Sequence, residues 1–378
     1  MFRNRRINYS HSHSLKGDSL IQLADGRIIS YYFRSFGNLS IYHPDTFKEI
    51  FSIDPKDMII RKENVEKEIK SYDEDEDEVE GEEFGPLIES SIIEFENNFI
   101  LISCRQYLIE IHLLEENKYD GSVVYKAKEN ILNVNKLSEG RLIVITNQSL
   151  IILKKEDNKF IEKDTFLMKN NWRMVAISKT ERFYGNFKQY YSSIALPNNK
   201  LLLNSFSTEL SYHGGCGTHP PEEFTRSKVI FIDLNNFNEI SITKNFDIAV
   251  KCIVLKDTII IQEYNEIYIY NINTFQMINK INLKIGYSEE FYKYDSNHII
   301  SISNSEEKNS LYLYKYEKNN LIRVKEASNE IQFNKIIGWN GYSIHKYKDK
   351  TLFILKDKRI IILCHGEVEV LDDPFSQK

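Results

Sequence analysis

The sequence predicts an all-β protein built from seven short sheet units repeated along one chain. Two observations predict it. A pattern of tight turn followed by β-branched strand recurs from one end of the 378 residues to the other, and the composition, with 23 Tyr and 22 Phe against 7 Pro and 15 Gly, suits strands. A hydrophobic share of 42% with 28% charged residues excludes disorder throughout.

The turn element comes first in each unit. It reads Leu-Ala-Asp-Gly-Arg-Ile-Ile at 23–29, Phe-Glu-Asn-Asn-Phe-Ile-Leu at 95–101 and Leu-Ser-Glu-Gly-Arg-Leu-Ile at 137–143. It continues as Leu-Pro-Asn-Asn-Lys-Leu-Leu at 196–202, Leu-Lys-Asp-Thr-Ile-Ile at 255–260, Tyr-Asp-Ser-Asn-His-Ile-Ile at 294–300 and Tyr-Lys-Asp-Lys-Thr-Leu-Phe at 347–353. Each copy sets Asp, Asn or Gly between apolar runs, and these residues tolerate the positive φ of a tight hairpin. The second element is an alternating apolar strand, a polar turn and a weaker strand, as in Leu39–Phe47, Val229–Phe237 and Ile267–Phe275. Four short strands cannot bury both faces of a sheet alone, so neighbouring units must stack, and seven of them close radially into a β-propeller of four-stranded antiparallel blades. Six or eight blades are the alternatives.

The turns are spaced by about 40 residues twice and by more four times, against 40 to 45 for a plain blade, so the excess is insertion. The blades are placed at 18–53, 88–128, 129–168, 189–245, 246–285, 286–328 and 330–372, giving one ring over 18–372. Insertions fall at about 54–87, 169–188 and 208–226. Residues 1–17 form an N-terminal segment and 373–378 a tail; the outer strand that closes the ring comes from either Ile7–His13 or Glu367–Leu371.

This arrangement resembles the WD40-like propeller family over nearly the whole chain. The Trp-Asp dipeptide and Gly-His pair of that family are absent; the positions equivalent to Trp-Asp read Tyr42-His43, Ile232-Asp233, Tyr270-Asn271 and Tyr314-Lys315. The family's buried polar network therefore does not carry over, and apolar packing must hold each blade.

Lys plus Arg number 49 and Asp plus Glu 55, and this net charge of -6 disfavours nucleic acid as a partner. Neither a secretion signal nor a transmembrane run of about 18 apolar residues is visible. Four scattered cysteines fit a reducing compartment, so a soluble intracellular protein is expected, cytoplasmic rather than nuclear.

Three segments stand out as sites. The run Glu66–Phe84 is densely acidic, and Asp73, Glu74, Asp75 and Glu76 could attract a basic partner; the competing reading is a solvated loop. Within 169–188, Trp172, Arg173, Arg182, Phe183, Tyr184 and Phe187 are of the types enriched at interface hot spots; the competing reading is a covering loop, including an inner strand, whose aromatics pack on blades 3 and 4. In Ser211–Phe224, His213, Cys216 and His219 are metal-competent donors at two-residue gaps, but no second ligand pair accompanies them, and a glycine-kinked hairpin loop is the simpler reading. No catalytic or cofactor motif appears, and no cofactor is expected. The functional expectation is a non-enzymatic protein-interaction scaffold or complex subunit, binding through face loops and insertions. The alternative is an enzyme or metal-dependent binder at the propeller mouth near His213, Cys216 and His219.

Overall fold

A computed structural model describes residues 19–31, 38–55, 92–96, 99–114, 118–157, 159–172, 187–211, 222–248, 250–282, 290–304, 309–327, 350–364, 367–371 and 375. It shows seven antiparallel sheets in chain order, a seven-bladed propeller. Blade 1 holds β1 (Ser19–Gln22), β2 (Ile28–Tyr31), β3 (Leu39–Tyr42) and β4 (Glu49–Ile53); blade 2 holds β5 (Ile92–Glu96), β6 (Phe99–Cys104), β7 (Tyr107–Leu113) and β8 (Tyr119–Lys126). Blade 3 follows with β9 (Ile131–Lys136), β10 (Arg141–Thr146), β11 (Ser149–Glu156) and β12 (Lys159–Leu167), and blade 4 with β13 (Phe187–Leu196), β14 (Lys200–Ser211), β15 (Glu222–Asp233) and β16 (Asn238–Ile242). Blade 5 comprises β17 (Lys251–Val254), β18 (Thr258–Glu263), β19 (Glu266–Asn271) and β20 (Met277–Asn282); blade 6 comprises β21 (Glu290–Lys293), β22 (His298–Asn304), β23 (Asn309–Glu317) and β24 (Asn320–Ala327). The described strands of blade 7 are β25 (Lys350–Ile354), β26 (Ile360–Cys364) and β27 (Glu367–Leu371). No helix among the described residues is long and apolar enough to cross a membrane.

The middle strands of each blade read as continuous apolar runs because both of their faces are buried. Alternate side chains enter opposite interfaces: Ile28 packs against blade 7 and Ile29 against blade 2, Leu142 against blade 2 and Ile143 against blade 4, Ile259 against blade 4 and Ile260 against blade 6. Among the described residues the core divides into one apolar cluster per neighbouring pair of blades. The cluster of Leu355 and Ile361 with Leu20, Ile28 and Tyr42 joins blade 7 back to blade 1 and closes the ring.

Two backbone devices repeat. Each of the six described fourth strands meets its third strand through a register shift, whereas the pairing of second and third strands carries none. Such bulges raise local twist at a sheet edge. In three blades the turn into the fourth strand places a phenylalanine at positive φ, Phe47 (51°), Phe237 (54°) and Phe275 (57°), and all three rings are buried. An aromatic residue at positive φ is costly, and burial of the ring offsets that cost.

The same markers correct the reading of blade 7. Leu355 donates its backbone N–H to Arg359 O (2.8 Å), and Asp357 accepts from the Arg359 N–H and guanidinium; Leu23, Asp25 and Arg27 do the same in blade 1. The seventh turn is therefore Leu355–Arg359 and not 347–353, one strand later. Consistently, β26 pairs β27 without a register shift, as second and third strands do. Glu367–Leu371 is thus the third strand, not the outermost, and Ile7–His13 lies outside the described residues.

Candidate functional site

Antiparallel order sends the links from first to second strand and from third to fourth to one face of the ring, and those from second to third strand and from blade to blade to the other. On the first, or turn face, no connection between described strands exceeds six residues. Its turns use residues at positive φ, including Asn198-Asn199 (60° and 55°) and Lys318-Asn319 (50° and 62°). Five of the seven neighbouring pairs of blades are also bonded together at this face. Ala24 N–H donates to Glu94 Oε1 (2.7 Å), Arg141 to Asn199 Oδ1 (3.1 Å), Lys256 N–H to Ser296 O (3.0 Å), Asn279 to Asn319 O (2.9 Å), Lys358 to Tyr294 O (2.9 Å) and Lys356 to Leu23 O (2.8 Å).

Every long connection between described strands leaves from and returns to the other face: 54–91, 168–186, 212–221 and 328–349. The two most exposed large apolar side chains among the described residues, Leu167 (70%) and Tyr264 (64%), also stand at that face, on blades 3 and 5. Blade 4 lies between them and is the longest sheet: β14 and β15 pair without interruption from Lys200–Asp233 out to Ser211–Glu222, and β13 accompanies β14 from Phe187–Glu209 inward. The rest of blade 4 ends sooner, so these three strands project as a finger from the connection face.

The finger's root is polar and buried. Ser205, Ser207 and Ser227 are almost wholly buried. Ser227 Oγ donates to Ile248 O (2.6 Å) and accepts from Val250 N–H (3.2 Å), while Asn204 donates to Val250 O (3.1 Å); together they tie the finger to the start of blade 5. On the blade 3 side, buried Lys228 donates to Asn171 O, and Trp172 Nε1 and Asn171 Nδ2 both donate to Glu239 Oε2 (2.9 and 3.2 Å). Burial pulls the Lys228 ammonium below its usual range, and the Glu239 carboxylate partly restores it. Toward the axis, Asn135 donates to Ser193 O (2.9 Å) and Ser193 Oγ donates to Asn133 Oδ1 (2.8 Å), coupling the innermost strands of blades 3 and 4. Packing against the blade 4–5 cluster pushes the Cys252 thiol up to about 12.

A second polar cluster lies between blades 2 and 3. Buried Glu110 takes His112 and Lys155 (3.4 Å), the His112 ring stacks on Phe99 (4.7 Å between centroids), and Lys155 sits over the same Phe99 ring (4.0 Å). Asp120, Gly121 and Ser122 complete an open cleft of about 230 Å³.

The residues singled out from sequence fare unequally. Of the two readings of Trp172, packing on blades 3 and 4 holds and exposed contact does not: a 3-10 turn at Asn170–Trp172 folds it wholly into the blade 3–4 core, and Glu239 satisfies its indole. Phe187 opens β13, paired with Glu209. Arg173, Arg182, Phe183 and Tyr184, the acidic Asp73, Glu74, Asp75 and Glu76, and His213, Cys216 and His219 lie outside the described residues. Among the described residues no group of three His, Cys, Asp or Glu side chains could hold a metal ion. The expected insertion at 208–226 narrows to 212–221, since its flanks are strand. The polar root of the finger was not foreseen; its only sequence signal is the run Asn204-Ser-Phe-Ser207, in which small polar residues replace the usual apolar ones.

No family model and no curated protein sequence matches the chain. Solved structures are similar to the chain at low identity. BamB from Moraxella catarrhalis is 12% identical with 98% of each chain covered and a TM-score of 0.45. U3-55K is 8% identical, covering 97% of this chain and 98% of its own, with a TM-score of 0.48. The dihydro-heme d1 dehydrogenase NirN is 10% identical, covering 82% of this chain and 65% of its own, with a TM-score of 0.42. At these values no residue role or activity transfers from them to this chain.

Proposed function

We propose that this protein is a non-enzymatic interaction scaffold or complex subunit that grips protein partners with its connection face. The single observation that carries this reading is the segregation of all four long connections to one face of a ring whose other face is reduced to short, mutually bonded turns. Loops on a rigid frame are where recognition concentrates, and a frame that elongates on one side only has one side to present. The finger of blade 4, flanked by exposed Leu167 and Tyr264, supplies the projecting part of that surface. The acidic run in the 54–91 connection favours a partner with a basic surface. The blades themselves are read as degenerate WD40-like repeats, supported by their four-strand order and turn spacing, and the protein as intracellular, supported by the few and scattered cysteines of the sequence.

Quantitative affinity purification from native lysate tests this with three chains: the intact protein, one with 212–221 replaced by Asn-Gly, and one with the turn-face segment 43–48 replaced by residues 271–276, the blade 5 turn with the same backbone bonding. Partners lost with the first replacement and kept with the second support the reading. Retention in the first and loss in the second sinks it.

A further inference from the structure

Among the described residues the outer edge of the finger has no partner strand. Strand β16 covers β15 only over Ile230–Asp233, and a single bridge, Ser227 with Phe246, extends that cover. The hydrogen bonds of this bridge fix which main-chain groups face outward. Ser227 N–H donates to Phe246 O (3.0 Å) and Phe246 N–H to Ser227 O (2.7 Å), while Thr243 N–H donates to Val229 O (2.9 Å). Backbone groups of 227 and 229 therefore point away from β14, and with a period of two so do those of Thr225 and Glu223. Among the described residues nothing pairs with the N–H and C=O groups of Glu223 and Thr225. An uncovered edge of this kind is a template for another strand.

We propose that the strand it takes is the same edge of a second copy, making a symmetric dimer through Glu222-Glu-Phe-Thr-Arg226. The choice rests on charge and register. In a two-fold antiparallel pairing centred on Phe224, Glu222 of one copy stands at the register position opposite Arg226 of the other, Glu223 stands opposite Thr225, and the outward groups of 223 and 225 form four hydrogen bonds. No like charges oppose each other. The two neighbouring registers fail. Centring on Glu223 puts Glu223 opposite itself and Thr225 opposite Pro221, which has no N–H to give, while centring on Thr225 sets Glu223 opposite Ser227, whose groups Phe246 already takes. Pro221 at one end and the Phe246 bridge at the other also limit the ladder to these five residues. The product is one continuous sheet of six strands in the order β13-β14-β15-β15-β14-β13. This goes beyond partner binding and is independent of it.

Sedimentation equilibrium of the full chain over a wide concentration range tests the pairing. A monomer–dimer equilibrium is expected, because so short an edge is a small interface. Thr225→Pro removes an outward N–H while sparing the ladder to β14, and should weaken association about tenfold or more, since each dimer loses two hydrogen bonds. Glu222→Arg and Arg226→Glu should each weaken it several-fold, and the double variant should return to within about twofold of the native value. The charge pair keeps the test decisive if the proline variant does not fold. A chain that stays monomeric at every concentration overturns the proposal, as does a dimer indifferent to both the proline and the charge exchange. Neither result bears on whether the connection face binds other proteins.

Discussion

The two faces of the ring are made by the same strands and yet obey different rules. The turn face has short hairpins, residues such as Asn198, Asn199, Lys318 and Asn319 held at positive φ, and hydrogen bonds that tie most neighbouring blades together there. The connection face carries segments of very unequal length, and among the described strands those of blade 4 reach furthest beyond it. The difference teaches where this fold tolerates change. A turn locked to its neighbours cannot lengthen without breaking contacts in two blades, whereas a link that only rejoins two buried strands can grow at small entropic cost.

The comparison breaks most sharply where a connection is rooted in the core. Trp172 begins the 168–186 link yet fills the blade 3–4 interface, so Trp172→Ala should cost about 3–5 kcal/mol in chemical denaturation, with the loss of its bond to Glu239 adding to the cavity. A loss below about 1 kcal/mol would show that the link is not anchored there. On the turn face, Asn198→Ala with Asn199→Ala should cost roughly 1–2 kcal/mol, because alanine is strained at φ near 60°, while a Gly-Gly turn should be close to neutral. Replacing 212–221 by Asn-Gly should change stability by less than about 1 kcal/mol, since loop shortening alters closure entropy only slowly; a larger loss would mean the segment packs on the ring.

The smallest effect is acid sensitivity at one turn. Asp295 is partly buried, which raises its pKa, but the N–H groups of Asn297 and His298 and the His298 ring outweigh this and hold the carboxyl below its usual 3.8. A carboxyl held low in the folded state contributes stability above its unfolded pKa, and that contribution is lost as pH falls through the folded value. Below about pH 4 the native chain should therefore lose stability more steeply than Asp295→Asn, as followed by thermal unfolding across that range. Identical slopes would remove the Asp295 turn from the set that braces this face.

Much of the ring was legible in the sequence because burial on both sides of a strand writes itself as Ile-Ile, Leu-Ile or Ile-Ile-Ile runs, and hairpin turns write themselves as Asp, Asn and Gly. Blade 7 was misread by one strand because Tyr347-Lys-Asp-Lys and Leu355-Lys-Asp-Lys look alike in a one-dimensional pattern; only the bonding of Arg359 to Asp357 separates them. The ends of β14 and β15 were missed because Ser205, Ser207 and Ser227 bury polar side chains where hydropathy expects apolar ones. Trp172 has the composition of a contact residue and the position of a core residue, a distinction that lies in packing and not in residue type. Which insertions share a face was out of reach, since it follows from the alternation of strand direction and so from pairing.

The most direct test is hydrogen–deuterium exchange of the intact chain, free and in complex with whatever co-purifies with it, mapped onto the two faces. Protection on binding confined to 54–91, 168–186, 212–221 and 328–349 and the strand ends that carry them is the predicted result. Protection centred on the turns at 23–27, 43–48, 197–199 and 355–359 would contradict the division of labour between the faces.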